Sequence, residues 1–211
     1  MCGIAGCIGG QDTQTVNRML DALPHRGPND RGLRIFENGV LGHTRLSIVD
    51  VAHGHQPILA NDGTTGIVCN GEIYNFAELK KDLTPQYRFK TNSDTEVILH
   101  LYREEGPQCV KKLNGMFAFA IFDGSEVMLA RDPIGIKPLY YAYHRERIYF
   151  TSELGAMTLA GVDEVHAFPA GHYYTSRDGF VRYYRVPEEQ DDPIADVERA
   201  AGLIRRTFIK A

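Results

Sequence analysis

The chain opens Met1-Cys2-Gly3-Ile4-Ala5-Gly6, a small nucleophilic residue at the head of an apolar, glycine-rich run that reads as a buried first strand over Gly3 to Ile8. Loss of the initiator methionine is expected before so small a side chain, and it leaves a thiol beside a free α-amine. A nucleophile and a base then share one residue. The thiolate is the reactive form of cysteine, with a reference pKa of roughly 8.5, so about a few per cent exists at neutral pH. An α-amine titrates at roughly 7.7–8.0, so about a tenth to a sixth of it is neutral at pH 7 and can take the thiol proton. By position alone Cys2 reads as a small core residue. The blocks further along decide between the two readings.

Length and composition narrow the field. The 211 residues suffice for one substantial domain, or one domain with a fragment of another. Apolar residues at 43% and charged residues at 24% are an ordinary globular balance. A net charge of −4, without basic clusters, argues against a nucleic-acid surface. No apolar run approaches the ~20 residues of a membrane span, and no basic leader precedes an apolar region. Cys2, Cys7, Cys69 and Cys109 are too scattered for a disulfide framework, and the absence of a C-x-x-C pair argues against a zinc site. Cys7, Cys69 and Cys109 read as core thiols, no metal is expected, and the compartment is expected to be a reducing cytoplasm.

Strand-like runs dominate outward from the first. They cover Leu33 to Phe36, Val40 to Leu46, Gly66 to Asn70, Met116 to Phe122, Val127 to Arg131, Leu139 to Tyr143, Ile148 to Thr151, Tyr173 to Ser176 and Val181 to Tyr184. Turns at Glu37-Asn38-Gly39, Asp123-Gly124-Ser125 and Arg177-Asp178-Gly179 read as hairpins, so the sheets are mainly antiparallel. Val16, Met19, Leu20 and Leu23 recur at helical spacing before Pro24. Asn75 with Glu78, and Ser93 with Glu96, resemble capping boxes opening helices to Leu83 and to Gly106-Pro107. Beyond Arg185 the composition changes: Pro187 to Pro193 reads as an acidic linker. Ile194, Val197, Ala201, Ile204 and Phe208 then predict an amphipathic helix whose apolar face has no evident cover, as at the start of a further domain.

Several blocks occur in a telling order: Cys2-Gly3-Ile4-Ala5-Gly6, His25-Arg26-Gly27-Pro28, Gly42-His43-Thr44-Arg45-Leu46-Ser47-Ile48-Val49-Asp50, Asn70-Gly71-Glu72-Ile73-Tyr74-Asn75 and Ser93-Asp94-Thr95-Glu96. Arg131-Asp132-Pro133-Ile134-Gly135-Ile136-Lys137-Pro138-Leu139-Tyr140-Tyr141 and Ser152-Glu153-Leu154 follow. Together they resemble the glutaminase domain of class II glutamine amidotransferases, in particular the N-terminal domain of asparagine synthetases. The resemblance covers residues 2 to 185 and implies an α+β N-terminal nucleophile (Ntn) hydrolase fold, an αββα four-layer sandwich with two mainly antiparallel sheets.

The resemblance also implies roles. Cys2 attacks the carboxamide of L-glutamine, with its own α-amine as base. The Asn70 side chain and the Gly71 backbone N–H form the oxyanion hole. Read alone, Asn70-Gly71 is equally a hairpin turn after a strand end. Arg45 is implied to grip the α-carboxylate in a bidentate pair, Asp94 to pair with the α-ammonium and Glu72 to assist, while Leu46, Ser47, Ile48 and Val49 line the pocket. Asp94 by itself also reads as a helix first-turn acid. His25 and His43 read as hydrogen-bonded scaffold residues, Arg26 as a loop anchor, and Asp132 with Lys137 as a tight turn around Gly135.

The expected product is glutamate and ammonia through a Cys2 thioester. The ammonia is destined for an ATP-dependent synthetase domain making asparagine from aspartate. No cofactor is expected in residues 1–185; ATP and Mg belong to that further domain, of which residues 186–211 supply a linker and first helix. Homodimer formation is left open. Three alternatives stand: another class II amidotransferase, a cysteine-type Ntn amide hydrolase, and a glutamine-binding regulatory domain.

Overall fold

The computed structural model describes residues 1–211 apart from 49, 125, 188–193 and 211. The order is β1 (Gly3–Ile8), α1 (Thr13–Asp21), β2 (Asp30–Phe36), β3 (Gly39–Arg45), β4 (Ile58–Leu59), β5 (Thr65–Ile73), α2 (Phe76–Leu83) and α3 (Thr95–Glu105). A 3-10 turn over Gly106–Lys112 leads to β6 (Gly115–Asp123), β7 (Glu126–Arg131), β8 (Tyr140–His144) and β9 (Arg147–Thr151). The chain continues through α4 (Leu154–Leu159), β10 (His166–Ala167), β11 (His172–Thr175), β12 (Gly179–Arg182) and α5 (Val197–Lys210). One sheet has the order β10-β8-β9-β1-β3-β2 and the other β12-β11-β7-β6-β5-β4. Every ladder between these strands is antiparallel.

Side-chain alternation sorts the core into three layers of contact. Ile4 and Ile8 of β1 meet Val68, Ala118, Ala120 and Phe122 of the other sheet. Ala5 and Cys7 point the opposite way, onto Val16, Met19 and Leu20 of α1 and Met157 of α4. In the second sheet Phe117, Phe119 and Ile121 of β6 turn outward to Val97, Ile98 and Leu101 of α3. The strands are therefore apolar on both faces, as strands covered on both sides must be. Helix, sheet, sheet, helix is the expected αββα sandwich.

Several elements depart from expectation. The strand expected to stop at Asn70 continues unbroken to Ile73, with Asn70 opposite Ala118 and Gly71 opposite Phe117, so Asn70-Gly71 is no hairpin turn. Neither capping box forms as expected. The Asn75 amide donates to the Lys112 carbonyl at 2.9 Å and accepts from the Asn114 N–H at 3.0 Å, tying the chain before α2 to β6. Ser93 Oγ accepts from Thr95 N–H at 3.2 Å, while Glu96 reaches past it to the N–H groups of Lys90 and Thr91. The last helix starts at Val197 rather than Ile194, because Asp196 caps it: its Oδ1 accepts from Arg199 N–H at 3.1 Å. Val197, Ile204 and Phe208 on it are exposed. Of the expected acidic linker, residues 188–193 lie outside the described residues, as does Ser125 of the second hairpin. Among the described residues no helix is long and apolar enough to cross a membrane.

Candidate active site

Cys2 stands at the head of β1, where the two sheets approach one another. Its Sγ lies 3.4 Å from the Leu46 nitrogen, which donates to it, and 3.7 Å from the Leu46 carbonyl. Burial holds this thiol above its ordinary pKa, outweighing the Leu46 N–H and the Arg45 charge, both of which favour the thiolate. The pocket therefore favours the neutral thiol. Cys69, also in the cavity wall, is buried and held up more strongly by the same cause.

Behind Cys2 lies a network the sequence only half disclosed. Arg26, buried, donates from Nε to the Cys2 carbonyl at 2.9 Å and from Nη1 to Glu153 Oε1 at 2.9 Å. With its amide turned to satisfy both neighbours, Asn70 donates to the same Cys2 carbonyl at 3.0 Å and accepts from Arg26 Nη2 at 3.3 Å. His25 Nε2 closes the group 2.9 Å from Glu153. Arg26 therefore holds the backbone of Cys2 itself, more than the loop anchor its block implied. His43 departs from expectation too. It is fully buried between the sheets, and neither ring nitrogen has a hydrogen-bond partner among the described residues. The Cys69 backbone approaches the ring without reaching hydrogen-bond geometry, and burial pushes its pKa down to about 4.

The edge of β5 beyond its short pairing with β4 forms the opposite wall. Cys69 N–H donates to Gln56 Oε1 at 2.6 Å and Ile73 N–H to Asp94 Oδ2 at 2.7 Å. Backbone direction alternates along a strand, so Gly71 N–H, midway between them, points off the same edge. Only glycine fits there: a Cβ at Gly71 would sit 2.4 Å from the Met116 carbonyl oxygen and 2.8 Å from Phe117 Cα.

A cavity of about 40 Å³ joins these groups. Its lining includes Cys2, Arg45, Leu46, Ile48, Gly71, Glu72 and Asp94, together with Gly54, Gln56, Cys69, Ser93 and Thr95. Ser47 is turned aside, its N–H donating to Asn29 Oδ1 at 3.0 Å, and Val49 lies outside the described residues. Arg45 is buried, with its guanidinium fork fixed on the carbonyls of Val51 (3.0 Å) and Asp50 (2.7 Å). At the other end, burial and the neighbouring Asp94 raise the Glu72 pKa, and Lys137 pulls it back. Burial likewise raises Asp94, against the N–H bonds it accepts. A cation and two carboxylates thus flank the thiol. A larger open groove of about 730 Å³ runs along Lys80 to Asn92, and no cysteine is among the described residues that line it. Among the described residues no three His, Cys, Asp or Glu side chains gather as a metal site.

Residues 1–177 match the model of the glutamine amidotransferase domain family. The chain belongs to that family. This amidotransferase domain is 46% identical over 192 residues to the probable asparagine synthetase [glutamine-hydrolyzing] of Schizosaccharomyces pombe, covering 88% of the chain and 34% of that protein. It is 43% identical over 165 residues to asparagine synthetase B [glutamine-hydrolyzing] of Escherichia coli K12, covering 77% of the chain and 30% of that protein. The domain thus spans about a third of the length of the curated relatives it matches. Its fold is shared with the glutamine phosphoribosylpyrophosphate amidotransferase of B. subtilis, at a TM-score of 0.76 and 24% identity over 86% of this chain and 49% of that one. Two antiparallel sheets inside helical layers, as in that neighbour, make this amidotransferase domain an Ntn-type α+β sandwich.

Proposed function

We propose that this domain hydrolyses L-glutamine to L-glutamate and ammonia through a γ-glutamyl thioester on Cys2. The observation that carries the reading is the convergence of Cys2, the free edge of β5 at Gly71, and a cation opposite two carboxylates on one cavity. After removal of Met1, the Cys2 α-amine takes the thiol proton as Sγ attacks the carboxamide carbon. The Asn70 amide and Gly71 N–H receive the oxyanion, the amine returns its proton to the departing ammonia, and water then cleaves the thioester. Arg45 meets the substrate carboxylate, while Asp94 and Glu72 meet its ammonium. Intact-mass analysis should show loss of methionine, and diazo-oxo-norleucine should add to Cys2 alone. Labelling at Cys7 or Cys69, or full glutaminase activity in Cys2→Ala, would refute this.

In the whole protein we propose that the ammonia serves asparagine formation from aspartate. The names and greater lengths of the relatives support this. Residues 1–185 would then be the glutaminase unit, acting in the cytoplasm, and residues 186–211 the approach to the synthetase domain that binds ATP and Mg. ATP- and aspartate-dependent asparagine synthesis by the present chain alone would overturn that division.

A further inference from the structure

Lys137 is a buried lysine that the mechanism above leaves unused. Its position is built with care. Asp132, itself buried, accepts from the N–H groups of Ile136 and Lys137, both at 2.9 Å. Gly135 supplies the left-handed bend at φ 73°, and the Lys137 carbonyl accepts from Arg131 Nε at 2.7 Å. The turn so fixed aims the ammonium at the start of the chain, where Nζ lies 3.6 Å from Met1 Sδ. Met1 is the residue bonded to the Cys2 nitrogen. A thioether is a weak acceptor for an ammonium with three donors, and a buried charge is costly without better partners. The same ammonium acts on Glu72, drawing its raised pKa back down.

We propose that, once Met1 is removed, Lys137 is a positioning residue of the glutaminase reaction: its ammonium stands beside the new N-terminus, pairs with Glu72, and holds the Cys2 α-amine in its neutral, proton-accepting form. The proposal rests on the reading of Cys2 as nucleophile with its own amine as base. Two cations a few ångströms apart in a partly buried site repel enough to lower the amine's pKa by about one pH unit. An amine near pH 8 is about a tenth neutral at pH 7, and one near pH 7 about half, a gain of about fivefold in competent base. Among the described residues, the other charges grouped around Cys2 are Arg45 from β3, Arg26 with its partner Glu153, and the carboxylates Glu72 and Asp94. Arg45 acts in the same sense as Lys137. Glu72 and Asp94 act against it, and engaging Glu72 removes the nearer of these opposing effects.

The test is the pH dependence of kcat/KM for glutamine in the wild-type chain and in Lys137→Gln, Lys137→Met and Lys137→Arg, with methionine loss verified by mass. In the wild type the acid limb should lie about one unit below the ordinary α-amine range of roughly 7.7–8.0. Lys137→Gln and Lys137→Met should move that limb up by about one unit, lose about fivefold at pH 7, and converge on the wild type above about pH 9. Lys137→Arg should restore the wild-type profile. A wild-type limb at or above the ordinary range overturns the proposal even if no variant folds. So does an equal loss at every pH, which is what a merely structural lysine would give. A processed wild type that takes no label at Cys2 refutes the nucleophile reading itself; labelling with an unshifted limb refutes only the role of Lys137.

Discussion

Arg26 Nε donates to the carbonyl oxygen of Cys2 over 2.9 Å, and the Asn70 amide shares that oxygen at 3.0 Å. A nucleophile at a chain start has one covalent neighbour once its methionine is gone, so its orientation depends on such bonds. The guanidinium is in turn braced by Glu153 at 2.9 Å. Through the shared oxygen, the proposed nucleophile and proposed oxyanion donor are positioned relative to one another.

Arg26→Ala should therefore lower glutaminase kcat/KM by about ten- to a hundred-fold, since a charge-assisted hydrogen bond is worth roughly 1.5–3 kcal/mol. Most of the loss should fall on kcat, because Arg26 is not among the residues lining the cavity. Arg26→Lys should recover little, having one compact charge where the fork meets Cys2, Asn70 and Glu153 together. Steady-state kinetics with unaltered kcat in Arg26→Ala would show that the bond does not position the thiol.

Gly71→Ala should damage folding and activity together. The added Cβ meets backbone, the Met116 oxygen at 2.4 Å and Phe117 Cα at 2.8 Å, and a ladder cannot yield as a side-chain tip can. Overpacking of this kind costs about 1–3 kcal/mol. Urea denaturation should show a lower midpoint with an unchanged slope. A midpoint equal to that of the wild type would mean that β5 and β6 separate freely there.

Much of this was legible because it is written locally. The alternation of Ile4 and Ile8 against Ala5 and Cys7, and the blocks around Arg45, Asn70 and Asp94, lie in short contiguous runs. Both strands of the β8–β9 hairpin were legible but its turn was not: it runs through Arg145 and Glu146 at φ 50° and 61°, residues without turn preference. Helix α4 is six residues long, too short to establish a helical period. Gln56 gave no signal because its task, joining Cys69 N–H to Thr95 Oγ1, exists only once β5 and α3 are packed together. Asn70-Gly71 misled because the dipeptide's turn preference yielded to nine residues of cross-strand pairing.

Glutamine affinity should weaken in acid. Glu72 and Asp94 both titrate above the ordinary carboxylate range, through burial and, for Glu72, its neighbour Asp94. Their charged forms, which the substrate ammonium would need, are lost as pH falls through the interval just above the ordinary carboxylate range. KM should rise over that interval, and Asp94→Asn should raise it about ten- to a hundred-fold at pH 7 while flattening the trend. A KM independent of pH in the wild type, or a near-normal one in Asp94→Asn, would remove the carboxylates from the binding scheme.

His43 should make the fold sensitive to acid in a way a single substitution can isolate. Burial places its pKa at about 4 in the folded chain, against roughly 6.5 when unfolded. Protons therefore bind the unfolded chain first. The neutral ring's full contribution is present above about pH 6.5, is lost progressively as pH falls below that value, and stops falling near pH 4. The whole interval corresponds to a loss on the order of 3 kcal/mol. Neither ring nitrogen has a hydrogen-bond partner among the described residues, so His43→Leu gives up little at neutral pH, since an apolar group strands no donor or acceptor. Urea unfolding at about pH 7.5 and about pH 4.5 should show a smaller drop in stability for His43→Leu than for the wild type, by about 2–3 kcal/mol. Equal drops in both proteins would mean that His43 is hydrated or partnered in solution, and that the acid sensitivity of the sandwich arises from its carboxylates instead.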